Sequence, residues 1–239
     1  MKKARLFLLL LVAIQVSSQN RIETVLVDSE KLLMKNLKIG INKYLVYMEK
    51  PNGDIFNTDV WVREVKINNK TIEVQQNWVN SNRKVVSLNK ITGFESIYHY
   101  SKKGKDKIEA FDYYPNEIKG SDSIANNLRK GFELKLIDKP FNWELDLEFF
   151  QLLPYQLNTT FVINFYHPGS KTNPKYYNYK VIGKEKIVGL NGNKIQCWLL
   201  KIDYAKNSSA IFYISTKTKE VIKMIETYGK IKRYKLKLL

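Results

Sequence analysis

Hydrophobic and polar residues alternate most regularly near the C-terminal end of the chain. Tyr234 and Leu236 occupy every second position there, and Lys235 and Lys237 occupy the positions between them. A period of two is typical of a β-strand, whose successive side chains point to opposite faces of a sheet. We therefore expect the Tyr234 side of this strand to be buried and the lysine side to face water, with a second layer packed on the apolar face.

The rest of the C-terminal third shows the same kind of pattern. Its segments are rich in β-branched and aromatic residues and are separated by Pro, Gly, Asn and Ser, which favour turns. The predicted strands are residues 161–166, 176–187, 194–204, 210–215, 221–227 and 231–238.

The N-terminal half predicts a meander of short antiparallel strands. Residues 41–50 and 59–67 form a hairpin around Pro51, Asn52, Gly53 and Asp54, which supply turn chemistry. Further strands are expected at residues 71–79, 84–88, 94–100 and 107–114. Residues 119–129 are polar and are expected to form a flexible loop or a loose helical turn.

Residues 143–153 fit two patterns. Apolar residues alternate with acids, as in a strand, but Asn142 is a good helix N-cap, acids crowd the first turn and Pro154 follows as a stop. We predict a buried helix and expect the acids Glu144 and Glu148 to form a solvent-exposed stripe rather than a catalytic pair.

A second, shorter helix is expected near the start. Asp28 or Ser29 is placed to cap a helix over residues 31–37, and Gly40 is placed to end it. The fold class is therefore mainly β: a curved antiparallel sheet or half-barrel packed on one or two short helices, as one domain over residues 19–239.

The first eighteen residues have the pattern of a secretory signal. Lys2, Lys3 and Arg5 precede an apolar block at residues 6–14, and small residues come just before Gln19. The block is too short to span a bilayer, so we expect an exported mature chain without a transmembrane segment, placed in the periplasm or, alternatively, outside the cell.

Charge narrows the expected partners. Removing the three basic residues of the signal lowers the formal charge from +17 to +14. The lysines are spread along the chain, which suits a solubilising surface better than phosphate recognition. We expect no nucleic-acid partner, and we expect an anionic envelope surface or another envelope protein only as an alternative partner.

Residues for catalysis or metal binding are sparse. His99 and His167 are isolated in the sequence, and no HExxH, G-x-S-x-G, phosphate-binding Gly-rich or CxxC motif occurs. The lone Cys197 is expected to be a buried apolar residue, and the absence of a Cys at Gln19 excludes a lipoprotein anchor there. The sequence predicts no catalytic residue, metal site or cofactor.

An aromatic surplus remains after the core is assigned. These side chains are either ordinary core or the lining of a hydrophobic concavity, in which small-ligand sites arise. The candidate lining residues are Trp61, Trp78, Trp143, Phe150, Trp198, Phe212 and, at the rim, Tyr213.

Several segments together resemble an uncharacterised family of exported β-rich proteins of Gram-negative envelopes. They are residues 142–155 (NWELDLEFFQLLPY), 161–170 (FVINFYHPGS), 179–187, 197–200 (CWLL) and 210–238. That family is similar in architecture to the LolA-type lipoprotein carriers. The resemblance implies a curved sheet that half-encloses helices and can shelter acyl chains, and it implies no catalytic residue. Tyr213 stands where the family often has Trp.

Three functions are compatible with these patterns. The favoured one is non-enzymatic binding of a hydrophobic or lipid-like ligand in the half-barrel, with lysines near the rim. The alternatives are an envelope interaction or assembly protein without a small ligand, and an exported hydrolase of an unrecognised type.

Overall fold

The computed structural model describes residues 22–189 and 192–238. The predicted signal peptide, residues 1–18, and the cleavage point before Gln19 lie outside the described residues. Within those residues, no helix is long and apolar enough to cross a membrane.

One sheet contains sixteen strands of the described chain. In chain order they are β1 Glu23–Val27, β2 Gly40–Glu49, β3 Ile55–Asn68, β4 Thr71–Trp78, β5 Arg83–Lys90, β6 Ser96–Lys103, β7 Lys107–Tyr113, β8 Glu117–Gly120, β9 Glu133–Lys135, β10 Phe141–Asn142, β11 Thr159–Tyr166, β12 Lys175–Val188, β13 Lys194–Ala205, β14 Ser208–Ser215, β15 Val221–Tyr228 and β16 Ile231–Leu238. All twelve strands predicted from the sequence are confirmed, as β2–β7 and β11–β16.

The sheet is two meanders joined by the C-terminal strand. Strands β2–β9 pair in sequence order, as do β11–β16, and β16 pairs with β2 in an antiparallel register. β1 and β10 both pair with β11 in parallel, so β1 and β9 end the path of paired strands. The sheet is curved and open, which confirms the predicted fold class.

The segment after β10 is helical, as predicted, and it is divided into three short turns. A 3-10 turn at Trp143–Leu145 leads into α1, Asp146–Phe149, and a second 3-10 turn follows at Phe150–Leu152. The Asn142 side chain accepts a hydrogen bond from the backbone N–H of Glu144, at 3.0 Å, as expected of an N-cap. We call residues 143–153 the inner segment, because the sheet curves around it.

The apolar side chains of the inner segment fill most of the concave side. Phe150 packs against Tyr179 of β12 and Phe212 of β14, with ring centroids 5.0 and 4.7 Å away. Phe149 lies 5.1 Å from Phe165 of β11. Leu147 is fully buried in the same core cluster. The hollow of the half-barrel is therefore occupied mainly by the chain itself.

The expected orientation of the last strand is wrong. Lys235 is 4% exposed and lies opposite the core residue Val46, whereas Tyr234 lies opposite Tyr47 on the outer face, with ring centroids 4.8 Å apart. Directly paired residues share a face of the sheet. Lys235 can face inward because Asp146 of α1 lies within 2.9 Å of its ammonium group.

The expected N-terminal helix is replaced by two 3-10 turns, Ser29–Lys31 and Met34–Asn36. Asp28 caps the first turn by accepting from the N–H groups of Glu30 and Lys31. The predicted loop at residues 119–129 begins within β8, and the Asn127 side chain bonds the backbone of Ala110 and Ser121.

A cleft between the inner segment and the sheet

An open cleft of about 410 Å³ remains beside the start of the inner segment. We call it the aromatic cleft. It is bounded by the inner segment, by residues of β3–β5 on one side and by residues of β12–β16 on the other. Its lining residues are Trp61, Arg63, Gln76, Trp78, Arg83, Trp143, Glu144, Asp146, His167, Tyr177, Tyr204, Ser208, Phe212, Met224, Glu226, Tyr228, Arg233 and Lys235.

Strand register brings the aromatic side chains of the cleft together. Trp61 of β3 pairs directly with Trp78 of β4, and their rings meet edge to face at 4.8 Å. On the inner segment, Trp143 stacks on His167 at 4.7 Å and meets the edge of Tyr177 at 4.3 Å. These contacts leave Trp61 and Trp143 partly exposed. Rigid aromatic groups with accessible area are typical of ligand sites.

Four of the seven residues predicted to line a ligand site are in this cleft. They are Trp61, Trp78, Trp143 and Phe212.

Phe150, Trp198 and Tyr213 do not line the aromatic cleft. Phe150 is fully buried in the core. Trp198 stacks on Tyr155 at the opposite part of the core, 6.0 Å between centroids. Tyr213 directly follows the inward-facing Phe212 in β14, and because adjacent residues of a strand face opposite sides, Tyr213 lies on the other face of the sheet.

Arg63 of β3 anchors α1 to the sheet from the floor of the cleft. Its Nε donates to Glu148 Oε1 at 2.8 Å, and Nη2 donates to Glu148 Oε2. Nη1 donates to Gln76 Oε1, and Nη2 also donates to the Glu144 carbonyl, both at 3.0 Å. Arg63 and Glu148 are almost completely buried. The solvent-exposed acid stripe predicted from the sequence is therefore wrong for Glu148.

Lys235 of β16 holds the other acid of α1. Its Nζ donates to Asp146 Oδ2 at 2.9 Å and lies 5.0 Å from the Trp61 ring centroid. Burial alone would raise the pKa of Asp146, but Lys235 and Arg63 lower it below its usual value. Burial lowers the pKa of Lys235, and Asp146 opposes that shift. We interpret the contact as a charged pair at neutral pH.

Two more ion pairs stand at the wall of the cleft and are less deeply buried. Arg83 Nη2 donates to Glu144 Oε1 at 2.6 Å, and the Arg83 guanidinium lies 4.7 Å from the Trp78 ring centroid. Across the β15–β16 pair, Arg233 is ion-paired with Glu226. Burial would raise the pKa of Glu144, but interactions with His99 and with the Arg83 guanidinium lower it below its usual value.

Three buried polar atoms of residues at the cleft lack a hydrogen-bond partner among the described residues. They are the acceptors Glu144 Oε2 and Glu226 Oε2 and the donor Arg233 Nε, although Glu226 Oε2 also forms the ion pair with Arg233 Nη2. Buried polar atoms in proteins are nearly always hydrogen-bonded, and a water molecule or a polar group of a ligand would satisfy these atoms.

A buried Ser–His contact lies outside the lining of the cleft. Ser87 Oγ lies 3.0 Å from His99 Nδ1, and the Asn142 amide lies 3.1 Å from the same nitrogen. Ser87 and His99 are fully buried, and neither lines the cleft. Burial lowers the pKa of His99 to about 4, so the imidazole is neutral at neutral pH. Among the described residues, no group of three His, Cys, Asp or Glu side chains is placed to hold a metal ion.

Sequence reasoning missed the charged residues of the cleft. Arg63 and Glu226 lie two positions from the core residues Val65 and Met224 in the same strands, so each shares its core-facing side of the sheet. Lys235 lies directly opposite the core residue Val46. A charged residue at a core-facing position was the available signal, since such residues are rarely buried without a partner.

The chain matches the model of a family described as "Protein of unknown function (DUF3108)" over residues 43–237. It is also similar to the crystal structure of a DUF1329 family protein from Desulfovibrio piger, with 10% sequence identity over 86% of this chain and 87% of that chain, at a TM-score of 0.27. No curated protein matches the chain. The expected resemblance to an uncharacterised β-rich family is confirmed, and the chain belongs to the DUF3108 family of proteins of unknown function.

Proposed function

We propose that the protein is a non-enzymatic binding protein that holds a small ligand in the aromatic cleft. One observation carries the proposal: the core side chains fill most of the concave side, yet about 410 Å³ stays open beside three tryptophans. Ligand sites typically measure several hundred Å³ and combine aromatic walls with a few polar groups.

The cleft restricts the lipid-like ligand expected from the sequence. Phe149 and Phe150 occupy the interior where acyl chains were expected to lie. In the remaining space, an acyl chain would desolvate charged groups such as Arg83 and Glu144 without bonding them, which is unfavourable. A ligand with one apolar face and several polar groups fits better than a long acyl chain.

Two acidic residues of the cleft suit binding better than general-acid catalysis. Glu144 and Asp146 are each ion-paired with a basic side chain, and the pKa of each carboxyl is lowered. A general acid must carry a proton near the working pH, whereas pairing with a cation favours the ionised form.

A pair of substitutions on β14 tests the proposal. Ser208 lines the cleft, and Ser209 follows it on the opposite face of the strand. We expect Ser208→Trp to fill the cleft and Ser209→Trp to leave it open.

The measurement is native mass spectrometry of protein purified gently from its own cells. We expect a retained small molecule with the wild type and Ser209→Trp, and none with Ser208→Trp at equal folded content by near-UV circular dichroism. Equal retention by both variants would place the ligand elsewhere, and no retained ligand in the wild type would count against the proposal.

Export to the periplasm is part of the proposal and rests on the N-terminal sequence pattern. Cell fractionation with N-terminal sequencing tests it. The expected result is a periplasmic chain that begins at Gln19, and an uncleaved cytoplasmic chain would contradict it.

Docking of another envelope component is the second candidate function. The outer edge of β1 has no partner strand among the described residues, and Leu26 on β1 is 52% exposed. An open edge can accept a strand from another protein. Photo-crosslinking from position 26 in intact cells would capture one specific protein if this function holds, and only scattered products if it does not.

A further inference from the structure

We infer that the ligand of the aromatic cleft is an uncharged, hydroxyl-rich ring, a sugar unit of a glycan. The inference rests on the proposed function, because it assumes that a ligand occupies this cleft. It names the ligand's chemical class from three properties of the cleft: its charge, its unsatisfied hydrogen-bonding groups and its aromatic walls.

The charges of the cleft are balanced one to one. Every lysine or arginine among the described lining residues is ion-paired with a carboxylate of the chain. The pairs are Arg63–Glu148, Arg83–Glu144, Arg233–Glu226 and Lys235–Asp146. An anionic head group would find no unpaired cation and would have to displace a carboxylate that is already bonded. A neutral ligand meets no such competition.

Three polar atoms of the lining residues have no hydrogen-bond partner among the described residues. Glu144 Oε2 and Glu226 Oε2 accept, and Arg233 Nε donates. Hydroxyl groups both donate and accept, so a polyol that reaches these side chains can serve both kinds of atom. A carboxylate or phosphate dianion only accepts, and an acyl chain does neither. The hydrogen-bonding requirement therefore agrees with the charge balance.

The aromatic walls match the shape of a sugar ring. Trp61 and Trp143 are partly exposed and held in place by contacts with Trp78 and with His167 and Tyr177. The C–H face of a pyranose ring is flat and apolar and packs on such a surface. The open volume of about 410 Å³ equals that of roughly 14 liquid waters. That space admits one or two sugar rings, so we expect recognition of a short unit or of the end of a longer glycan.

Ligand binding by purified full-length mature protein tests the inference. The probes are neutral oligosaccharides of glucose, mannose, galactose and N-acetylglucosamine, with dodecanoate and lysophosphatidylglycerol as amphiphile probes. Tryptophan fluorescence and calorimetry report binding. We expect saturable binding of one sugar series, weakened at least about tenfold by Ser208→Trp and unchanged by Ser209→Trp. The sugar affinity should stay constant from about 0.05 to about 0.5 M salt, because a neutral ligand is not screened.

Glu144→Gln separates the two chemistries in one variant. It replaces one carboxylate oxygen by an NH2 group, which donates instead of accepting, and it leaves Arg83 without its counter-ion. We expect sugar affinity to fall about tenfold and dodecanoate affinity to rise and become salt-dependent.

The outcomes distinguish failure of this inference from failure of the proposed function. If the sugars do not bind while an amphiphile binds and is displaced by Ser208→Trp, the sugar assignment is overturned and the binding function stands. Sugar binding that is insensitive to Ser208→Trp overturns the assignment to this cleft. If neither class binds and native mass spectrometry shows no ligand, both proposals fall.

Discussion

Replacing Arg63 by Met would remove the main polar connection between the sheet and α1. Arg63 donates four hydrogen bonds: two to the Glu148 carboxylate, one to Gln76 and one to the Glu144 carbonyl. We expect Arg63→Met to lower the free energy of unfolding by about 3 to 5 kcal/mol, the range for breaking a buried ion pair by removing one partner.

The magnitude comes mainly from the partner left behind. Glu148 has a side chain that is 3% exposed, and without Arg63 its charge has no counter-ion at hydrogen-bond distance. The Glu144 carbonyl loses the hydrogen bond from Arg63 but keeps the one from Gln76 Nε2 at 2.8 Å, so this oxygen stays bonded. The methyl and thioether groups of Met replace part of the packing of the arginine stem.

Urea unfolding followed by tryptophan fluorescence measures the effect. The double variant Arg63→Met/Glu148→Leu removes both charges, and we expect it to recover at least about half of the lost free energy. Arg129→Met is the control, because the Arg129–Glu109 pair is about one-third exposed on both sides and should cost less than about 1 kcal/mol. If Arg63→Met costs no more than the control, or if the double variant loses the sum of both single losses, the reasoning about a desolvated charge is refuted.

Three further expectations concern pH, packing and thiol chemistry. Burial lowers the pKa of His99 from 6.5 to about 4, so between these pH values the unfolded chain binds a proton that the folded chain excludes. The free energy of unfolding should therefore fall by up to about 3 kcal/mol as pH drops from about 7 to about 4. His99→Gln should flatten this part of the plot of urea midpoint against pH. A Cβ on Gly120 would lie 1.7 Å from the Arg129 carbonyl oxygen. Gly120→Ala should therefore lower the free energy of unfolding by about 1 to 3 kcal/mol, measured as a lower urea midpoint. Burial raises the pKa of Cys197 to about 11, so a thiol reagent should modify it only after unfolding, and modification of the native protein would contradict this.

The strand pattern was predictable because the information is local. Turn residues such as Asn52 and Gly53 and the period-two segments on either side lie within a few residues of one another, and they define β2 and β3 correctly. The N-cap at Asn142 is equally local. The strands that were not predicted, β1, β8, β9 and β10, have at most five residues each, too few to show a clear period. β1 and β10 pair with β11, and β8 and β9 pair with each other across the polar segment that was predicted as a loop.

Which face of a strand is buried is a different kind of question. Alternation around Tyr234 gives the period of β16, but its direction depends on Asp146, which is 89 residues away and supplies the counter-charge of Lys235. Tyr213, predicted at the rim, directly follows Phe212 in β14, and adjacent residues of a strand face opposite sides of the sheet. Four of the seven predicted lining residues are in the cleft, since aromatic residues in strand patterns can be recognised from the sequence. The ion pairs of the cleft could not be predicted, because their partners lie far apart in the chain.

The position of the inner segment and the neutrality of the cleft have one physical origin. Glu144, Asp146 and Glu148 all belong to this short acidic segment, and each is paired with a basic side chain from a different strand. The basic strand positions hold the segment against the sheet, and the segment's acids cancel the positive charge that those positions would otherwise present to a ligand. Removing one of these acids should therefore loosen the segment and create an anion site at the same time. Under the proposed binding function, stability and ligand charge preference would be coupled, so a relative that lacks one of the three acids should favour an anionic ligand unless it has lost the matching base as well.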